Sequence, residues 1–468
     1  MASNHSTQAA VEEDYIAPLS PFAASTHTSK LSIGILCLFE LDNPLEFSLP
    51  QLGQLFLSLN SRFSCITVKD EITGAQYWRK VAVAVEDHIK VPSFDDGLPP
   101  DSYDHYLQEY LAEVAIEPFP ESKPLWELHI FNYPTTHAAA SVALKLHHAL
   151  GDGYSLMGAL LSCAKRADDP SLPLTYPSSA KLSFGEDQSN VFWKMWDTAQ
   201  KIWRTTSDLG WRLLHVTRRE DDCSAIRSGN PGIISVPVTS NRVVISLDRI
   251  REVKNKVGST VNDVVTGMIF FGIHLYNHRM GYTSKGKRMT LLMALNTRTM
   301  RGYQSVKDMI EAKSWGNYST LVQILMPSCT DVEKEDPMNF IFEAKKTMSK
   351  KKKSLLPFIM SRLLKLLWNL KGPEVVSLYY KEFVNNSSMV MSNIIGPKEK
   401  IKLAEQELKN ICFFLTGLPN SVVASVMSYN GQLTIVVTIE KGFIAPKLFI
   451  SCMSEAFECI YDLANRTD

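Results

Sequence analysis

Apolar residues recur along this chain with two periods, one near two residues and one near 3.6, and together they sketch a protein of mixed helices and strands. Leu31–Leu41 (LSIGILCLFEL) and Ala138–Leu146 (AAASVALKL) are short apolar runs, and valines alternate across Ala75–Val85, so all three are expected to be strands. Asp104–Ala115 and the small, apolar Tyr154–Lys165 are expected to be helices. Further strands are expected at Arg242–Leu247, Met289–Leu295, Thr320–Met326, Met389–Ser392, Val422–Tyr429 and Leu433–Ile439. Asn430-Gly431, between the last two, is a dipeptide suited to a tight hairpin turn. Helices are expected over Val191–Arg219, Val261–His278, Leu355–Leu370 and Ala445–Ala464. Ala167–Asn190 is rich in Pro, Ser, Asp and Gly and reads as a linker. The expected division is an N-terminal lobe over 1–170, a linker with crossover helices over 171–232 and a C-terminal lobe over 233–468.

Composition narrows the class. A chain of 468 residues exceeds one ordinary core, which favours two lobes. With 45% apolar and 21% charged residues it belongs among globular proteins. Lys and Arg number 49 and so do Asp and Glu, so no overall field draws in nucleic acid. The eight cysteines form no CxxC pair and read as reduced, mostly buried thiols. The polar, acidic start MASNHSTQAAVEEDY has neither the basic stretch nor the apolar core of a secretory signal, so the protein is expected to face the cytosol.

The candidate chemistry lies at His147, His148, Asp152 and Gly153, where the apolar strand ends and the next helix begins. An alcohol attacks poorly unless its proton leaves, and an imidazole with an ordinary pKa of about 6.5 accepts such a proton near neutral pH. His148 is the candidate base. Asp152 would orient the loop, held by a cation, and Gly153 would allow a sharp turn free of a Cβ clash. Two other readings stay open at this point. Paired histidines at a strand end are often hydrogen-bonded core residues. A zinc site is disfavoured because consecutive side chains of an extended segment point to opposite faces and no third histidine stands at ligand spacing.

In ordered motifs across nearly its whole length, the sequence resembles the plant-type wax ester synthase/diacylglycerol acyltransferase family, within the superfamily that carries HHxxxDG. Pro18-Leu19-Ser20-Pro21 looks like that family's PLSP and Pro124-Leu125-Trp126-Glu127 like its PLWE. His147-His148 to Asp152-Gly153 looks like its active-site motif and Asn262-Asp263 like its ND. Asn296-Thr297-Arg298 and Ser392-Asn393-Ile394-Ile395-Gly396-Pro397 look like its NxR and SNxxGP. Asn60-Ser61-Arg62-Phe63 departs from the pattern, since relatives commonly carry a proline before Arg-Phe.

The resemblance implies an α/β (α+β), two-lobed fold like chloramphenicol acetyltransferase and condensation domains, with mixed sheets and a tunnel between the lobes. It implies transfer of a long-chain acyl group from acyl-CoA to a long-chain alcohol, with diacylglycerol as a further acceptor, the two reactants arriving from opposite faces. No metal and no cofactor are implied; acyl-CoA is a substrate. His148, His147 and Asp152 become the catalytic set. Gly153, Arg298, Asn262, Asp263 and Asn296 support it, Arg298 through a salt bridge to Asp152. Pro124, Leu125, Trp126, Ser392 and Asn393 are expected along the tunnel, with Asn262, Ser392 and Asn393 as candidate oxyanion donors. For Pro124 to Trp126 a buried turn is the competing expectation. The alternatives are a BAHD-like acyltransferase on another alcohol or amine, although its DFGWG signature is missing here, or a lipid-binding protein without turnover.

Long-chain substrates reside in bilayers, so a membrane-facing surface is expected, at the cytosolic face of the endoplasmic reticulum by analogy with some plant relatives. No clean run of about twenty apolar residues exists to span a bilayer. One candidate surface is Val191–Val216, with Phe192, Trp196, Ile202 and Trp203 at helical spacing among Lys194, Lys201 and Arg212. The other is Leu355–Leu370, preceded by Lys345, Lys346 and Lys350 to Lys353. The competing expectation is a helix packed on the second lobe for the first and a merely solvated charged face for the second. Nothing in the sequence speaks to oligomeric state.

Overall fold

A computed structural model of the chain describes residues 15–45, 49–71, 74–175, 220–230, 236–283, 285–298, 305–352, 354 and 356–466. The helix expected over Val191–Arg219, and most of the expected linker, lie outside the described residues.

The long strands sort into two mixed sheets. One has seven strands in the order Lys165–Arg166, Ile401–Leu403, Gln406–Thr416, Gly34–Leu41, Ala140–His147, Trp126–Phe131 and Ile89–Lys90. The other has six, in the order Val238–Ser246, Gln432–Glu440, Val422–Tyr429, Met389–Ile395, Thr290–Asn296 and Ser319–Leu325. Strand membership departs from the expected division in one place. Residues 401–416 belong to the C-terminal half of the sequence but complete the sheet of the N-terminal lobe. The chain then re-enters the second sheet at Val422. This crossing strand, Gln406–Thr416, ties the two lobes covalently near their contact. A second tie is electrostatic: Arg242 donates at 2.8 and 2.9 Å to both carboxylate oxygens of the buried Glu40.

Register in the first sheet builds rungs of three side chains across its inner face. Leu415, Ile35 and Leu146 form the first, and Phe413, Cys37 and Leu144 the second. Ile411, Phe39 and Val142 form the third, and Leu408, Leu41 and Ala140 the fourth. The period-two pattern puts Leu36, Leu38 and Phe414 on the opposite face, where Tyr103, Leu107 and Leu111 of the helix Pro100–Ile116 cover them. The inner face packs against the helix Gly153–Cys163, through Met157, Ala159, Leu160 and Leu161.

In the second lobe the helix Val261–Arg279 is buried almost all round and is flanked by the helices Pro337–Lys352 and Pro446–Arg466, which themselves reach the sheet. Its start is closed by a capping box: the Thr260 hydroxyl accepts from the Asp263 N–H while the Asp263 carboxylate accepts from the Thr260 N–H. Asp263 is therefore engaged in helix capping. The other face of this sheet presents Leu292, Val390 and Val423 to Phe383 and Val384 of the helix Pro373–Asn385.

Two expectations from the sequence pattern are corrected. Pairing over Ala75–Val85 stops at Lys80, because alternation supplies a face but no ladder partner beyond that point, and Val85–His88 forms a single 3-10 turn. Trp126 begins a buried strand, and its indole N–H donates to the Phe63 carbonyl at 2.8 Å while the ring stacks on His88.

Candidate active site

The strand Ala140–His147 ends in a tight turn in which Leu150 N–H donates to the His147 carbonyl, and the helix Gly153–Cys163 starts from Asp152 as its N-cap. Alternation at the strand end separates the two histidines. His147 is locked into the protein: its Nδ1 accepts from the Ala149 N–H at 3.0 Å, so Nε2 carries the proton and faces His27 Nδ1 at 3.3 Å and Ser32 Oγ at 3.2 Å. His27 in turn reaches the Thr67 hydroxyl at 2.7 Å. Burial first, then the neighbouring His27, holds the His147 pKa well below the ordinary imidazole value.

His148 has different surroundings. Its Nδ1 lies 2.9 Å from the side-chain oxygen of Asn317, and the Asn317 amide nitrogen donates to the His148 carbonyl at 3.0 Å. The second bond fixes which way the amide points. Nδ1 must therefore carry the proton, and Nε2 is left with the lone pair. Burial of the ring lowers its pKa, opposed by the Asp152 charge and the bond to Asn317. The ring is nevertheless partly accessible, because it faces internal space.

That space is two chambers. The larger, about 240 Å³, has a mixed wall that includes Phe22, Thr26, Asn296, Tyr380 and Asn393. The narrower, about 60 Å³, lies between the rungs of the first sheet and the helix Gly153–Cys163. Among the described residues five border both: His148, Gly153, Ser392, Ile394 and Leu415. Of these only His148 and Ser392 bring polar side chains. Gly153 belongs here for a reason other than a sharp turn. Its backbone begins the helix normally, but a Cβ would run into the Ile394 side chain of the opposite lobe.

Behind His148, Asp152 and Arg298 are both buried and meet at 2.7 and 3.0 Å through two guanidinium nitrogens. The carboxylate also accepts from Ser155 N–H, Tyr318 N–H and the Ser319 hydroxyl. Arg298 also donates to the carbonyls of Ser314 and Gly316, to Ser155 Oγ and to Asn296 Oδ1, and its guanidinium lies between the rings of Tyr154 and Tyr318. A buried ion pair is tolerable when its remaining hydrogen-bonding capacity is met in this way. The consequence reaches His148: the carbonyls gripped by Arg298 belong to the segment 314–318, which delivers Asn317 to the imidazole. Gly316 adopts φ +128°, a conformation that suits glycine.

The other expected residues divide. Ser392, Asn393 and Asn296 border the larger chamber. Asn262 does not; its side-chain oxygen accepts from the Asn393 amide at 2.8 Å and so acts behind it. Neither chamber wall includes Pro124, Leu125 or Trp126, which are buried at the start of the strand Trp126–Phe131, nor His147. Asn317 was not found by sequence reasoning. A lone Asn in a loop 169 residues from its histidine carries no spacing signal; its only local mark is the Gly-Asn step before a strand. Among the described residues no group of three His, Cys, Asp or Glu side chains gathers as a metal would require.

A pair of family models decides the relationship. The wax ester synthase/diacylglycerol acyltransferase catalytic domain matches residues 57–265, and the WS/DGAT C-terminal domain matches residues 315–461. The chain belongs to the wax ester synthase/diacylglycerol acyltransferase family. It is an acyltransferase. Two members from Arabidopsis thaliana illustrate the distance. Wax ester synthase/diacylglycerol acyltransferase 11 is 29% identical over 78% of this chain and 77% of its own length. Wax ester synthase/diacylglycerol acyltransferase 2 is 29% identical over 81% of each. Among solved structures, the wax ester synthase/diacylglycerol acyltransferase from Marinobacter aquaeolei VT8 superposes with a TM-score of 0.59 at 14% identity, covering 96% of this chain and 100% of that one. The first condensation domain of the CDA synthetase gives 0.56 at 13% identity, covering 96% of both chains. The two-lobed fold of the family and of condensation domains is thus the fold of this chain.

Proposed function

We propose that this acyltransferase moves a long-chain fatty acyl group from acyl-CoA to a long-chain alcohol, forming a wax ester, and accepts diacylglycerol as a second acceptor. The observation that carries the reading is His148 at the junction of two chambers, with its proton committed to Asn317 and its Nε2 lone pair available. Nε2 takes the hydroxyl proton as the alcohol oxygen attacks the thioester carbonyl carbon. The tetrahedral intermediate collapses, the C–S bond breaks, and the departing CoA thiolate is protonated by the imidazolium, which restores the neutral ring. No covalent acyl-enzyme and no cofactor are needed. Asp152 and Arg298 work one step back, holding the segment that orients His148. Ser392 is the polar side chain that shares the junction with His148 and is our candidate hydrogen-bond donor to the oxyanion, a kind of contact worth about 3 kcal/mol of transition-state stabilisation.

The same reading places the working enzyme on an anionic lipid surface, at the cytosolic face of the endoplasmic reticulum. No helix among the described residues is long and apolar enough to cross a membrane, so docking would be peripheral. Leu363, Leu366 and Leu370 stand exposed at the spacing of one helical face on Leu356–Lys371, amid Arg362, Lys365 and Lys371. The next helix exposes Val375 and Leu378, and its buried side gives Tyr380 and Val384 to the larger chamber. An apolar face ringed by cations suits anionic lipid, and here it adjoins a wall of the site.

The test is incubation of purified protein with labelled palmitoyl-CoA and a panel of alcohols and diacylglycerol, with products separated by lipid chromatography. Wax ester as the main product is expected. Hydrolysis alone, or ester formed only with short water-soluble alcohols or amines, would replace this reading. Co-sedimentation with vesicles containing phosphatidylserine, lost when Leu363, Leu366 and Leu370 are changed together to Ser, tests the docking. Equal sedimentation of both forms would refute it.

A further inference from the structure

The narrow chamber is lined almost wholly by hydrocarbon. His148 and Ser392 stand at its junction with the larger chamber, and the Cys37 thiol on the second rung is pushed up to about 12 by burial, so it behaves as an inert apolar group. Among the described residues nothing along the run away from His148 could satisfy a charged or hydroxylated headgroup, whereas a saturated tail would shed water there without loss. The run has an end. Beyond it lies a separate small space of about 10 Å³, bordered by Leu41, Val142 and Leu408 among others. Among the described residues, Phe39 from the third rung and Phe56 from the helix Leu49–Leu57 are the two that border both spaces.

We propose that the narrow chamber seats the hydrocarbon tail of one long-chain substrate, laid along the rungs, and that Phe39 and Phe56 are the end wall that limits its length. This rests on the ester-forming reading of the site. The first to third rungs are four residues apart along the central strand, a run of about 13 Å, and the fourth rung lies roughly 7 Å further. Opening the wall would join the small space to the chamber and lengthen the seat by several methylenes. The tail belongs to the acyl donor or to the alcohol, since both present the same chemistry to an apolar seat.

The experiment uses the full-length protein and two competitions: a graded series of saturated acyl-CoAs with one alcohol, and a graded series of saturated alcohols with one acyl-CoA. In Phe56→Ala the ratio of long-chain to short-chain ester is expected to rise about tenfold or more in one series, the scale on which an apolar pocket discriminates methylenes. The other series keeps its profile, and the series that responds identifies the tail. Cys37→Phe, which fills the second rung, should drive the same ratio down by a similar factor. If Phe56→Ala does not fold, Phe39→Leu and Cys37→Phe carry the test. Unchanged profiles in both series overturn the proposal. If the wild type makes no ester, the functional reading has failed. The seat is then judged by thermal stabilisation with graded saturated fatty acids and alcohols: a length optimum that moves in the variants supports it, and an unmoved optimum sinks it.

Discussion

Both histidines of the motif stand at the end of one strand, yet His147 is bonded through both ring nitrogens to protein groups, whereas His148 engages one nitrogen with Asn317 and faces two chambers with the rest of its ring. Backbone alternation alone sends the two rings to opposite sides. The difference teaches that neighbours in the motif need not share a role: one ring is tied into the protein, and the other is the one the proposed mechanism uses as its base. Arg298 and Asn317 belong with His148, because they fix the segment that holds its tautomer. His27, Ser32 and Thr67 belong with His147.

Substitutions can break this contrast, and the largest effect is expected at His148. His148→Ala should lower kcat for ester formation by about 10²- to 10⁴-fold, the usual contribution of a general base, with little change in Tm. Activity near wild type in that variant would end the proposed mechanism. Next comes Arg298→Ala, which strands the buried Asp152 carboxylate; losing one partner of such a pair costs about 3–5 kcal/mol of stability, and kcat should fall as well. A denaturation curve matching wild type would show that the pair does not support the fold. His147→Ala leaves the Ala149 N–H unmet and should cost about 1–3 kcal/mol of stability, while retaining far more activity than His148→Ala. The reverse ranking would exchange the roles assigned to the two rings.

The smallest expected effects concern pH. Because burial lowers the His148 pKa, the acid limb of kcat/KM should lie below the ordinary imidazole range of about 6.5. Removing the bond in Asn317→Ala should move that limb further down with a modest loss of kcat, whereas Asn317→Asp, which supports the imidazolium, should move it up. Limbs that coincide in all three proteins would remove Asn317 from its positioning role. Stability should follow the same sign. His27, His147 and His148 are all lowered by burial, so as pH falls below about 6.5 the unfolded chain gains protons that the folded chain refuses, and stability drops until the folded pKa values are reached. Thermal melts across pH 5 to 8 would reveal it; a melting temperature that rises on acidification through that window would contradict it.

Much of the architecture was legible from periodicity. The strand and helix flanking the motif, the helix Val261–Arg279 and the hairpin at Asn430-Gly431 follow from apolar spacing and turn chemistry that act locally. The Asp152–Arg298 contact was expected from family resemblance, and the two side chains do meet. What stayed hidden depends on partners distant in sequence. The crossing strand Gln406–Thr416 carries a short apolar run only at Ile411–Leu415, and its pairing with Gly34–Leu41 is what shows that it serves the other lobe. Trp126–Phe131 contains Glu127 and His129, polar residues that come within 3.4 Å of each other, with Lys145 3.6 Å from the Glu127 carboxylate, only once the sheet is assembled. The chamber division depends on Ile394 meeting Gly153 across the lobes, a contact that no spacing rule specifies.

The account requires that His148 meet its substrates neutral, with the proton on Nδ1 and the lone pair on Nε2. Nitrogen-15 NMR of histidine-labelled protein at neutral pH reads this directly, the His148 signals being those that vanish from among the eleven histidines in His148→Ala. A protonated Nδ1 with an unprotonated Nε2 is the predicted result. A proton on Nε2, or a charged ring at pH 7, would contradict the account.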